Sequence, residues 1–85
     1  MKNIFVAKLS FSTTETELRT LFEEYGDVTD VHIIKDKVTH KSKGYGFVEM
    51  YDDEAAERAI NELDGYELKG RIIAVNEARP REERQ

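Results

Sequence analysis

Lys43-Gly44-Tyr45-Gly46-Phe47-Val48-Glu49-Met50 is the stretch whose reading decides the fold. Side chains on a pleated strand alternate between faces, so Lys43, Tyr45, Phe47 and Glu49 share one side and Gly44, Gly46, Val48 and Met50 the other. Turning the first set inward would bury an ammonium and a carboxylate with the rings, at several kcal/mol per ion. The Gly/Val/Met side is therefore the core side, and Tyr45 and Phe47 face solvent. Exposed rings beside a lysine are what a single-stranded nucleic acid needs: flat surfaces on which bases stack, and positive charge for phosphate.

Working outward, Ile4 to Leu9 alternates as a strand, with Ile4 and Val6 inward and Phe5 again a ring on the polar side. Thr14 with Glu17 three residues on forms a capping box ahead of Leu18, Leu21, Phe22 and Tyr25 at helical spacing, and Gly26 ends that helix. Val28 to Asp36 is β-branched and reads as a second strand, with Val31 and Ile33 inward and Asp30, His32 and Ile34 outward. The polar segment Lys37 to Ser42 is too short for a helix and makes the second and third strands an antiparallel hairpin. After Tyr51, Asp52 or Asp53 caps a second helix whose inner face is Ala56, Ala59, Ile60 and Leu63, closed by Gly65. Tyr66 to Gly70 reads as a turn or minor hairpin, and Arg71 to Ala78 as the last strand, with Ile73 and Val75 inward.

The order β-α-β-β-α-β predicts an α+β, ferredoxin-like domain: a four-stranded antiparallel sheet with both helices on one face and the other face open. The expected core is Leu18, Leu21, Phe22, Tyr25, Ile60 and Leu63 with the inward strand residues, whereas Phe11 and Tyr66 read as local packing. The domain is expected over residues 1–79. Residues 80–85 form a short charged tail with no apolar anchor, expected to be mobile.

Eighty-five residues allow one core. The absence of cysteine removes disulfides and thiolate metal sites, and no stretch approaches the ~20 apolar residues of a membrane helix. A soluble, cytoplasmic monomer is expected. The formal charge of −5 runs against a nucleic-acid partner until its distribution is considered. Acids concentrate on the helices, while Lys35, Lys37, Lys41 and Lys43, with Arg79, Arg81 and Arg84, gather around the exposed rings. Affinity is then expected from stacking and a local basic rim rather than from long-range attraction.

Lys43 to Met50 matches the pattern Lys/Arg, Gly, Phe/Tyr, Gly/Ala, Phe, Val, any, Phe/Tyr at seven of eight places, Met50 being the departure. With Ile4-Phe5-Val6-Ala7-Lys8-Leu9 as the partner hexapeptide, the chain resembles an RNA recognition motif over roughly residues 2 to 79, and is similar to short bacterial proteins carrying one such motif. The resemblance implies that Phe5 and Tyr45 stack on successive bases of single-stranded RNA, that Phe47 lies against the sugars, and that Lys43 contacts phosphate. Single-stranded DNA, which offers the same unstacked bases, is the expected secondary partner in vitro. Lys8 stands where the family more often has Asn, and Met50, on the core side, bears on packing rather than binding.

Other residues keep two readings. His32 and Ile34 either floor the platform or are incidental strand residues. Asn76, Ala78 and Arg79 either read base edges, largely through backbone groups, or form an ordinary strand exit. His40 reads as a solvated loop side chain. A cross-strand aromatic cluster that only stiffens the sheet is the competing account of the three rings. Catalysis lacks its parts: there is no cysteine, no histidine beside a nucleophile and no paired general acid and base, and neither metal, cofactor nor small-molecule substrate is implied. The alternative from another class is a protein-interaction module of the same fold, but relatives that abandon RNA tend to lose the rings kept here.

Overall fold

In the computed structural model, which describes residues 1–78, the decisive octapeptide lies within one strand. The elements run β1 (Lys2–Ala7), α1 (Glu15–Glu23), β2 (Val28–Lys35), β3 (Ser42–Met50), α2 (Asp53–Leu63), β4 (Glu67–Leu68), β5 (Arg71–Ile72) and β6 (Ala74–Glu77). Strands β2, β3, β1 and β6 lie side by side in that order, all antiparallel, and β4 and β5 pair separately. This is the expected ferredoxin-like sheet with a small hairpin placed before its last strand.

Charge decided the faces as anticipated. Gly44, Gly46, Val48 and Met50 of β3 are all buried, and Val48 and Met50 join Ile4, Val6, Val31, Ile33, Ile73 and Val75 in a core completed by Leu18 and Phe22 of α1 and Ala55, Ala56, Ala59 and Leu63 of α2. The small alanines let α2 lie close to the sheet. Leu21, Tyr25 and Ile60, expected in the core, are only partly buried at its margin. They lie where each helix surface turns from sheet to solvent, a distinction helical spacing alone does not make.

Both helix starts follow their caps. The Thr14 hydroxyl accepts from the Glu17 N–H at 3.1 Å while the Glu17 carboxylate accepts from the Thr14 N–H at 3.0 Å, and Asp52 caps α2 by accepting from the Ala55 N–H. Helix α1 stops at Glu23, before Gly26, where the Tyr25 N–H turns back to the Phe22 carbonyl. Gly65, at φ +89°, does follow the end of α2. First-turn carboxylates also suit the positive end of each helix.

Two pairing irregularities in β2 and β3 escaped a strictly alternating reading. Between Val28 and Asp30 an extra residue, Thr29, is inserted, so that Val28 packs against the core although it lies three residues from inward Val31. The Thr29 hydroxyl holds this bulge to the Glu49 carboxylate at 2.7 Å. The second irregularity lies between Ile33 and Lys35, opposite Ser42 to Gly46. Here Gly46 is required by close approach: a Cβ on it would lie 2.4 Å from the His32 carbonyl oxygen.

The last strand departs most from expectation. Instead of running unbroken from Arg71 to Ala78, the chain pairs Arg71–Ile72 back onto Glu67–Leu68 and enters the main sheet only at Ala74. Ile73 sits at the break, its N–H bonded to the Tyr66 carbonyl and its carbonyl to the Gly65 N–H. Its side chain and that of Val75 still point inward.

At each outer edge of the sheet one backbone donor is taken by a carboxylate. Glu15 of α1 accepts from the Ile33 N–H on β2 at 3.1 Å, and Asp64, after α2, accepts from the Val75 N–H on β6 at 3.0 Å. Capping of edge donors opposes addition of a further strand. The expectations for residues 80–85 lie outside the described residues.

Candidate nucleic-acid interface

The register of the sheet assembles the open face. Phe47 of β3 is paired with Phe5 of β1 on one side and His32 of β2 on the other, and Phe5 is paired in turn with Asn76 of β6. Four of the expected site residues thus form one row across all four strands: His32, Phe47, Phe5, Asn76. Tyr45, one pleat along β3, closes the patch against Phe5. Ring centroids are 5.5 Å apart for Phe5 and Phe47 and 5.8 Å for Phe5 and Tyr45, with planes tilted by about 50°, within the favourable range for aromatic pairs. Phe5 is therefore the hub. Phe47 is 36% exposed and the other two rings are partly exposed, since each covers its neighbour.

The remaining candidates divide. His32 and Asn76 are exposed on the ring row, and Ile34 is half-buried one pleat further along β2, where the register slips. Lys43 is exposed at the start of β3. The burial of β3 alternates through this point, with buried Gly44 between Lys43 and Tyr45. Ala78 is half-buried and its N–H is spent on the Asn3 carbonyl at 2.9 Å, which removes it as a donor for reading bases. Arg79 lies outside the described residues, as do Arg81 and Arg84.

Charge is graded along the strands. One end of the sheet, where β1 and β2 finish and β3 starts, carries Lys8, Lys35, Lys37, Lys41 and Lys43, and none of these is ion-paired with another described residue. The cations that are paired belong elsewhere: Lys2 with Glu57 and Glu77, Arg19 with Glu23, Lys69 with Glu17. At the opposite end the row beyond the rings is Asp30, Glu49 and Asn3. In the β2–β3 loop the Asp36 carboxylate accepts from the Thr39 and Val38 N–H groups, which hold its pKa below the ordinary range, with a smaller contribution from the Lys43 ammonium. That loop is ordered by its own hydrogen bonds.

Phe11 is more exposed than the sequence suggests. Read as local packing, it is 71% exposed in the loop between β1 and α1, with a ring edge against the bare backbone of Gly44, whose φ of +86° and absent Cβ make room for it. Among the described residues no group of acids and histidines is arranged to hold a metal, and no helix is long and apolar enough to cross a membrane.

An antiparallel four-stranded sheet backed by two helices, with contacting aromatics on its free face, defines a class of binding domain. The chain belongs to the RNA recognition motif family, whose model matches residues 4–74. It is 48% identical over 82 residues to the "Putative RNA-binding protein RbpE" of Nostoc sp. strain PCC 7120, covering 96% of this chain and 83% of that one. It is 46% identical over 78 residues to the mitochondrial glycine-rich RNA-binding protein 2 of Arabidopsis thaliana, covering 92% of this chain but 49% of the relative. Among solved structures, RNA Binding Protein PG1 superposes with a TM-score of 0.92 at 43% identity, covering 95% of this chain and 98% of that one. A structure described as "SXL-LETHAL PROTEIN/RNA COMPLEX" superposes with a TM-score of 0.88 at 33% identity, covering 93% of this chain and 47% of that one. Membership places the chain among binding proteins rather than enzymes.

Proposed function

We propose that this domain binds single-stranded RNA across the open face of its sheet, with bases stacked on Phe5 and Tyr45, a sugar against Phe47, and the backbone steered by Lys43 and the neighbouring lysines. One observation carries the reading: Phe5 in contact with both Tyr45 and Phe47 on the open face, beside a strand end whose lysines have no ion-pair partner among the described residues. Relatives and neighbours described as RNA-binding support it. The graded charge favours phosphates toward the lysine end and away from Asp30 and Glu49. His32 and Asn76 flank the rings and contact the outer nucleotides. A carboxylate on one backbone donor at each sheet edge opposes edge-to-edge pairing and supports a monomeric domain.

The footprint is two to four nucleotides, so affinity is modest and falls with salt. Selection from randomised RNA tests the proposal. Wild-type protein enriches single-stranded sequences, and Tyr45→Ala, while remaining folded, loses on the order of ten- to a hundred-fold in affinity, as expected for one stacked base. Equal retention of RNA by both proteins refutes the reading. Duplex of the same sequence competes poorly, because its bases are already stacked.

A further inference from the structure

We infer that Glu49 sets the base preference of the sheet: its carboxylate reads the Watson–Crick edge of the base stacked on Phe5 and selects guanine. The inference rests on the open face being a single-stranded RNA platform and names the base that the platform prefers.

The grading of charge along the strands orients that nucleotide. Phosphates are drawn to the lysine end and repelled from the other. The Watson–Crick edge of a base lies across the ring system from its sugar, so a base on Phe5 whose sugar lies on the lysine side points this edge to the opposite end. There the register sets Asp30, Glu49 and Asn3 in one row, two residues and about 7 Å along the strands from the rings. A purine reaches further from its sugar than a pyrimidine and so meets this row first.

Glu49 is prepared for the task. It lies on the ring side of β3 and is half-buried, with the Thr29 hydroxyl 2.7 Å from its Oε1. Thr29 is the bulged residue of β2, and a bulge re-aims the side chains around it. Glu49 has no ion-pair partner among the described residues. Its direct opposite on β2 is another carboxylate, Asp30, and like charges so placed cost stability that donors from a base would restore.

An ionised carboxylate accepts and never donates, on two oxygens with about four lone-pair sites. Unstacked bases in single-stranded RNA are read at their Watson–Crick edges. Adenine and cytosine each offer one exocyclic amine beside a ring nitrogen that a carboxylate repels, and uracil one N–H between two carbonyls. Guanine alone sets two donors side by side, N1–H and N2–H, spanning both carboxylate oxygens. Its remaining group, the O6 acceptor, needs a donor, and the exposed carboxamide of Asn3 stands opposite Glu49 on β1.

The test titrates tetrauridylate, and its variants carrying one guanosine, inosine or adenosine at each position in turn, into wild-type protein, Glu49→Gln, Asp30→Asn, Asn3→Ala and Tyr45→Ala. Thermal melts give the folded fraction of each. At one position wild type binds the guanosine tetramer on the order of ten-fold tighter than the adenosine tetramer, the discrimination of one bidentate pair. Inosine, which lacks the N2 amine, falls between. Glu49→Gln binds the three alike, whereas Asp30→Asn keeps their order. Asn3→Ala weakens the guanosine and inosine tetramers, which share O6, more than the adenosine one. If wild type prefers guanosine at no position while Tyr45→Ala loses affinity for every tetramer, the inference is overturned and the platform stands. A guanosine preference retained by Glu49→Gln overturns it too, as does one lost in Asp30→Asn alone. If Tyr45→Ala binds every tetramer as wild type does, the platform reading itself has failed.

Discussion

Replacing Phe5 by leucine separates the two things the ring cluster can do. Phe5 touches both other rings, at 5.5 and 5.8 Å, whereas Tyr45 touches only Phe5. Each tilted pair contributes about 0.5–1.5 kcal/mol beyond area burial, so Phe5→Leu is expected to cost about 1–3 kcal/mol of stability and Tyr45→Leu about half of that. Either change removes one stacking surface and is expected to weaken RNA binding by about 1–3 kcal/mol. Because the two rings touch, Phe5→Leu/Tyr45→Leu should be non-additive in stability by at least about 0.5 kcal/mol. Urea unfolding gives the stabilities, and fluorescence anisotropy with a labelled single-stranded oligonucleotide gives affinities corrected for the folded fraction. If Phe5→Leu lowers stability as calculated while affinity per folded molecule is unchanged, the rings are a structural cluster and the binding assignment is refuted.

Three further expectations concern the scaffold. Gly46→Ala should destabilise the domain more than any exposed substitution, because the new methyl meets the His32 backbone and β2 must shift; a melting temperature equal to wild type would contradict the close approach. Leu18→Ala, in a fully buried position, should cost about 2–5 kcal/mol, and Leu21→Ala, at the core margin, distinctly less; chemical denaturation of both variants checks the order. The Glu17 pKa is lowered, first by the Thr14 N–H and then by Lys69. Its contribution to stability is therefore full above the ordinary glutamate value and is lost as pH falls through the lower folded one. Glu17→Gln, which keeps the capping geometry without the charge, should have a lower urea midpoint than wild type at pH 6 and converge with it as pH falls through the lowered Glu17 value.

What the sequence made legible was whatever depends on one element at a time. Charge on Lys43 and Glu49 set the inner face of β3, and Thr14, Glu17 and Asp52 announced the helix starts. The row His32, Phe47, Phe5, Asn76 could be listed but not ordered, because register is a property of paired strands. For the same reason Thr29 gave no sign of being a bulge; its insertion is visible only against Glu49. The break at Ile73 was hidden by the apolar run Ile72-Ile73-Ala74, in which inward and outward positions look alike. The exposure of Phe11 was not legible because a single aromatic between serines carries no periodicity. Its exposure follows from the bare Gly44 backbone on which it rests, a contact between segments 33 residues apart in sequence.

The central claim, that the ring face of the sheet is the RNA-binding surface, is tested most directly by nuclear magnetic resonance. Side-chain ring and backbone amide signals are followed while a single-stranded RNA tetramer is added. The account predicts the largest shifts at Phe5, Tyr45 and Phe47, with smaller ones at His32, Lys43 and Asn76, and none on the outward faces of α1 and α2. Shifts confined to the helices, with the three rings silent at saturation, would contradict it.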